Sequence, residues 1–334
     1  MKYCKRIRKW KEGMKINPPC AIADMPIEVY HAAEGLSNSG LKTLLSVPAR
    51  YYYKYLSGEC EEKEKPHFKI GKAAHCYVLE GSRAFRKKYW HNPYGNLIKD
   101  DIIEILNNKG VETKGLKVAE LKDLLLKTMG IEKKEIELTA NELNQVVSIA
   151  KAIKNSDLSR GAFSQKGRSE VSLFWRDEET GVMLKCRPDW LPNNHKNIPD
   201  YKTCQTVNPF DFLIDALKYG YHIQCAMYQE GIRNVFGDEV ESFFFVGQEK
   251  EPPYISQVFL LDPSYTLYGE KAMRLGIRKY IECMGKGIWE TYSNRVIFLS
   301  IAPKPEDLST YYDRENSICY APSYLDNLLA KYEV

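Results

Sequence analysis

The segment IPDYKT sets Asp200 and Lys202 two residues apart on a predicted strand. Side chains at that spacing leave one face of the strand and meet at one spot. Alone, the pair reads equally well as an exposed ion pair contributing under about 1 kcal/mol. The neighbouring segment changes the weighing: the apolar run GVMLKCRPDW ends on Asp189, and the turn PNNHKN can return the chain antiparallel beside it. Two carboxylates and one ammonium then converge, and like charges held close require a cation between them. Oxygen ligands favour Mg2+ or Mn2+. A divalent ion with a lysine beside it can activate a water and neutralise negative charge that grows during a reaction.

Asp189, Asp200 and Lys202 fill the places of the PD-(D/E)xK nucleases, which the chain resembles: the first acid ends one strand, and the second acid and the lysine share the next. Downstream, YHIQCAMYQEG puts Gln224 and Tyr228 four residues apart, hence on one face of a predicted helix. A Gln-x-x-x-Tyr after the lysine marks the RecB-like exonuclease branch. Upstream, GKAAHCYVLE reproduces that branch's helical-histidine setting with Gly71, His75, Leu79 and Glu80, and Glu170, opening EVSLFW, matches a further acid. Together with GLSNSGLKTLLSVPARYYYKY, these segments resemble the RecE-like nuclease domain over about residues 27–300.

The resemblance implies a metal-dependent exonuclease that degrades linear double-stranded DNA 5′→3′ and leaves single strands for recombination. Asp189 and Asp200 would hold Mg2+, or Mn2+, with the Tyr201 carbonyl, His75 and Glu170 completing the ligands. Lys202 would orient the attacking water, and Gln224 and Tyr228 would hold the scissile phosphate. Lys72, near His75, and Arg187, near Asp189, are candidate DNA contacts. Implied partners are duplex DNA ends, a RecT-like single-strand annealing protein and further copies of the chain in a ring, in a phage or prophage setting. Each residue also has a plainer reading. His75 can be an ordinary core or surface histidine, Glu170 a solvated carboxylate at a strand start, and Gln224 and Tyr228 the polar stripe of an amphipathic helix. Two other functions compete: a restriction-like endonuclease of the same fold, and a non-catalytic DNA-binding recombination scaffold.

The elements that must position these residues are legible in outline. EVSLFW, GVMLKCRPDWL and NIPDYKTC read as consecutive strands, PFDFLIDALKYG and YHIQCAMYQEGIRNVF as helices, and ESFFFVGQE and YISQVFLLD as further strands. The expected fold is α/β: a restriction-endonuclease-like core with a mixed central β-sheet flanked by helices. FKIGKAAHCYVLEG reads as a helix stopped by Gly81, and Pro48 interrupts an earlier helix through Leu41, Leu44 and Leu45. The Tyr51, Tyr52, Tyr53 and Tyr55 run reads as packing residues. Residues 92–140 are predicted to be a helical insertion of two amphipathic helices within a nuclease domain over 23–334. Residues 1–22 read as a basic arm, either solvated or touching phosphates, and the tail beyond Pro303 as docked extended chain.

A chain of 334 residues with 44% hydrophobic and 12% aromatic residues can bury a sizeable core. No run approaches the roughly 18 apolar residues of a membrane span, and the start lacks an apolar leader, so a cytoplasmic protein off the membrane is expected. The nine cysteines are scattered without a CxxC pair. They read as reduced thiols, with neither zinc nor the iron–sulfur cluster of the Cas4-like relatives. A net charge of +4 permits DNA binding without announcing it.

Overall fold

β-branched and aromatic residues are frequent in the strands Asn197–Cys204 and Ser242–Glu249, the parallel pair that carries Asp200 and Lys202, and the helix Pro209–Lys218, capped by Asn208, begins the crossover between those strands. In the computed structural model, which describes residues 3–60, 66–292, 296, 298–300, 312–313 and 318–320, the chain opens with β1 (Arg8–Lys9), β2 (Cys20–Ala23), α1 (Ile27–Ala32) and β3 (Leu36–Ser37). Helices α2 (Asn38–Ser46), α3 (Pro48–Tyr55) and α4 (Pro66–His75) follow, and a π-helical turn, Cys76–Glu80, runs into α5 (Gly81–Lys88). Strands β4 (Tyr89–His91) and β5 (Ile136–Leu138) bracket α6 (Lys99–Asn108) and α7 (Val118–Thr128). After α8 (Ala140–Asn155) and α9 (Asp157–Ala162) come β6 (Gly167–Ser169), β7 (Ser172–Arg176), β8 (Met183–Cys186), β9 (Trp190–Pro192) and β10 (Asn197–Cys204). Helices α10 (Pro209–Lys218) and α11 (Tyr221–Phe236), strands β11 (Ser242–Glu249) and β12 (Ser256–Leu260), and the long α12 (Pro263–Lys286) complete the described core.

Two compact units result, one from Met1–Asn38 and Glu61–Arg274, the other from Ser39–Cys60 and Leu275–Val334. The first holds every candidate site residue. Its fold is mixed α/β: one sheet runs β1-β2-β7-β8-β3 and another β10-β11-β12, each containing parallel and antiparallel neighbours. β10 and β11 are parallel, with Asp200 opposite Phe245 and Lys202 opposite Gly247. A parallel pair needs a crossover, and α10 and α11 supply it. β2 and β8 are buried along their whole length, as expected of strands covered on both faces. Asn208 caps α10 ahead of Pro209, and Thr139 and Glu142 form a reciprocal cap on α8. Lys185, buried in β8, turns its ammonium onto the carbonyls of Tyr30 and His31, at 2.9 and 3.1 Å, at the end of α1.

In the second unit Pro48 starts α3 at its first turn, the one helical place where its missing N–H costs nothing. Of the tyrosine run only Tyr51 is buried, stacked on Trp289 at 5.7 Å, while Tyr52, Tyr53 and Tyr55 are exposed.

Several expectations change. Strand β10 does not return beside β8: β9 intervenes and pairs antiparallel with β6, while β10 joins β11. Backbone groups of Trp190–Pro192, expected to run on from β8 within the single strand GVMLKCRPDWL, are thereby satisfied by β6, a strand the sequence did not announce. Gly81 is no stop, because the helix widens to a π turn and continues as α5. The described part of the 1–22 segment is docked: β1 lies beside β2, the Cys4 N–H donates to the Val235 carbonyl at 2.7 Å, and Trp10, Met14 and Ile16 pack against the cluster of Ile22 and Phe174. Apolar residues interleaved with the basic ones anchor it. Between β4 and β5, α6 and α7 enclose a core of Ile102, Leu106, Leu121 and Leu125. The expected docked tail beyond Pro303 lies outside the described residues, apart from 312–313 and 318–320. No helix among the described residues is long and apolar enough to cross a membrane.

Candidate active site

His75 ends α4, where the helix widens into the π turn, a local geometry often found at functional sites. Gly71, one turn earlier, lets α4 approach β10: a Cβ there would lie 3.0 Å from the Thr203 hydroxyl. Glu170 follows β6 and adopts φ 55°, a left-handed backbone costly for a residue with a side chain. Its N–H donates to the Asp189 carbonyl at 3.2 Å, so main chain locks the two acids together. Asp189 lies in the short link between β8 and β9 and accepts the Tyr201 N–H at 2.7 Å through Oδ2. Its Oδ1 lies 3.2 Å from His75 Nε2, which is also 3.5 Å from Glu170 Oε1.

One ligand atom from each of His75, Glu170 and Asp189 falls within 4.8 Å of the others, close enough for one ion to touch all three. Asp200, 1% exposed, stands beside this trio and holds Lys202 by an ion pair. The Lys202 ammonium also sits over the rings of Tyr221 and Phe245, 5.3 and 5.8 Å from their centroids. A cleft of about 950 Å³ opens over these groups, with Lys72, His75, Glu170, Arg187, Tyr201 and Lys202 on its walls.

The predicted residues thus assemble, with redistributed contacts. Gln224 and Tyr228 share one face of α11 as expected, but both are buried behind the acids. Gln224 donates to the second oxygen of Asp200, and the Tyr228 hydroxyl donates to the Arg187 carbonyl at 3.3 Å. Arg187 turns its guanidinium to Glu170 at 2.6 Å and lies over the Tyr30 ring. Tyr201 directs its N–H to Asp189, while its side chain is buried in a core with Leu79, Ile153 and Val246. The sequence reading missed Tyr221 and Tyr30, the aromatic supports of Lys202 and Arg187. For Tyr221 a signal existed: it precedes Gln224 by three residues and so shares its helix face.

Electrostatics show a cluster short of positive charge. Burial alone would lower the His75 pKa, but the Asp189, Glu170 and Asp200 carboxylates reverse this and push it up to about 9. Burial, with the Asp189 charge adding to it, pushes Asp200 up to about 7 against the pull of Lys202. Glu170 is raised by burial and by Asp189, while Asp189 itself is lowered because His75, Lys202 and the Tyr201 N–H outweigh its burial. Lys202 is raised, since Asp200 and Asp189 overcome burial. The three carboxylates favour a proton on the imidazole, and a mixed imidazole and carboxylate donor set of this kind fits a divalent cation in its place. A pH dependence follows. To ligate, His75 must lose a proton that it holds up to about pH 9. Divalent-ion affinity is therefore expected to fall about tenfold per pH unit below that value. Calorimetry in buffers of different ionisation enthalpy should register roughly one proton released per ion bound near neutrality.

Comparison with solved structures supports the fold. A candidate exonuclease from Eubacterium rectale superposes with a TM-score of 0.53 at 17% identity, covering 87% of this chain and 97% of that one. A second structure, SSO0001, aligns at a TM-score of 0.26 and 12% identity over 56% of this chain and 87% of that one, too weak to carry an argument. No curated protein matches the chain significantly. Residues 37–299 match the family described as "PDDEXK-like domain of unknown function (DUF3799)", a span that contains His75, Glu170, Asp189, Asp200, Lys202, Gln224 and Tyr228. With that match over most of its length and a mixed α/β core around the acids, the chain belongs to the PDDEXK-like family DUF3799.

Proposed function

We propose that this protein is a divalent-metal-dependent exonuclease that hydrolyses phosphodiester bonds of linear double-stranded DNA, 5′→3′, and leaves single strands for recombination. The observation that carries the reading is the approach of His75, Glu170 and Asp189 to within 4.8 Å, beside the Asp200–Lys202 pair and under an open cleft. Mg2+, or Mn2+ in its place, is the ion this set would hold, with His75, Glu170 and Asp189 as ligands and Asp200 and the Tyr201 carbonyl adjoining. A bound divalent ion supplies a water of lowered pKa and a counter-charge for the phosphate.

The chain's own groups do the rest. Lys202 keeps its proton at any physiological pH and faces the cleft, so it can donate to a phosphoryl oxygen and orient the attacking water. Asp200 fixes that ammonium, and Gln224 fixes Asp200. Tyr228 steadies the backbone that leads to Asp189. Gln224 and Tyr228 therefore act as positioning residues. Lys72, on the cleft wall, is placed to meet a backbone phosphate, and Arg187 orients Glu170. A RecT-like annealing protein as recipient of the product strand, and a ring of copies around the duplex, belong to the same reading through the RecE-like resemblance.

Incubation with Mg2+ and linear duplex labelled at the 5′ or the 3′ end tests the proposal. Early release of the 5′ label, with a covalently closed circle left intact, is the expected result. Cutting of the closed circle would move the protein to the endonucleases. Intact linear duplex with both Mg2+ and Mn2+ would leave the non-catalytic scaffold.

A further inference from the structure

Strands β6 and β9 form a two-stranded ribbon with Ser169 opposite Trp190, and each strand adjoins a candidate metal ligand: Glu170 follows β6, and Asp189 precedes β9. The same ribbon lines a second groove, of about 560 Å³, with Phe163, Lys166, Arg168, Trp190 and Asn193 among its walls. Its chemistry differs from that of the acidic centre. Lys166 and Arg168 are exposed, and neither has an ion-pair partner among the described residues. The Trp190 indole is fixed by its N–H, which donates to the Gln165 carbonyl at 3.2 Å. Gly167 permits that placement, since a Cβ there would come 2.8 Å from the indole nitrogen and 2.5 Å from the Leu191 carbonyl oxygen.

Unpaired cations beside a rigid aromatic wall suit an unpaired polynucleotide strand. Cations meet its phosphates, whereas the ring requires a base face that duplex stacking would hide. Groove and centre are also neighbours: only Ser169 separates Arg168 from Glu170, and Trp190 directly follows Asp189. We propose that this groove is a subsite for single-stranded DNA, holding the strand that continues from the phosphate at the His75, Glu170 and Asp189 centre. The inference rests on the nuclease reading and adds that the strand is already unpaired there, with Lys166 and Arg168 on phosphates and a base against Trp190.

Fluorescence anisotropy of a labelled oligo(dT) strand with the full chain, without divalent ion, tests it independently of hydrolysis. The variant Lys166→Ala/Arg168→Ala should bind about tenfold more weakly, and its plot of log affinity against log salt should be shallower by about 1.4, or about 0.7 for each lost contact on a single strand. Lys109→Ala/Lys114→Ala, which removes the same charge from the insertion, should match the unsubstituted protein. A duplex of equal length should lose less affinity than the single strand. Unchanged affinity and slope in the groove variant, an equal loss in the insertion variant, or an equal loss for duplex would each overturn the subsite. These outcomes are readable even if the end-label assay shows no degradation, so the two readings fail separately.

Discussion

Asp189→Asn is expected to reduce DNA degradation by on the order of 10³-fold or more while leaving the fold intact. The amide oxygen can still accept the Tyr201 N–H, which the carboxylate takes at 2.7 Å. What disappears is the negative charge beside His75 and Glu170, and with it one of the three candidate ligands. Divalent-ion binding should weaken with activity, and the imidazole, relieved of its largest favourable partner, should titrate nearer its ordinary value. Calorimetric titration with Mn2+, a circular dichroism spectrum and the end-label assay on one preparation check all three. A variant that keeps its activity would remove Asp189 from the site.

Lys202→Met should cost both activity and stability, with the stability loss depending on pH. Loss of a donor aimed at the developing phosphoryl charge is expected to slow turnover by about 10²–10³-fold. Removing the cation also strands Asp200, 1% exposed, beside Asp189. Breaking a buried pair from one side destabilises by roughly 3–5 kcal/mol. A carboxyl can escape part of that by taking up a proton. Asp200 already titrates near 7 in the folded chain against 3.8 in its unperturbed state, so between those values the folded state binds more protons than the unfolded one. Stability from this group is therefore present at acid pH and lost as pH rises through the folded value. Without Lys202 that value moves higher, and the melting-temperature deficit should widen from pH 6 to pH 9. Adding Asp200→Asn should recover much of the stability and none of the activity. A deficit independent of pH would mean that Asp200 is not the stranded charge.

The two variants separate roles that a single inactive mutant would confuse. Under the proposed function Asp189 would act on the ion, so its loss should appear in metal titration. Lys202 pairs with Asp200 and under the same proposal would meet the phosphate, so metal binding should survive its loss while kcat falls.

Much of the centre was legible because it depends on local direction. Asp200 and Lys202 had to share a strand face, Gln224 and Tyr228 a helix face, and the apolar positions of the insertion helices had to enclose Ile102, Leu106, Leu121 and Leu125. Such spacings fix where side chains point whatever packs around them. Fold class followed from the same periodicities, since alternating strand and helix patterns admit few layered arrangements.

What touches what was settled elsewhere. Asp189 meets His75 and Glu170 because β9 breaks away from β8, instead of continuing it, to pair with β6, and because Glu170 takes a left-handed backbone that hands its N–H to the Asp189 carbonyl. Gln224 and Tyr228 brace the acids from behind because α11 is buried along that face. Strand pairing satisfies backbone groups far apart in the chain, and burial decides which of several polar partners a side chain can reach. Neither is encoded in a short window, so the amino-acid order alone determined which residues are of the types the chemistry needs, and the tertiary structure decided that His75, Glu170 and Asp189 lie within reach of one another, that Lys202 lines the cleft and that Gln224 and Tyr228 stand behind.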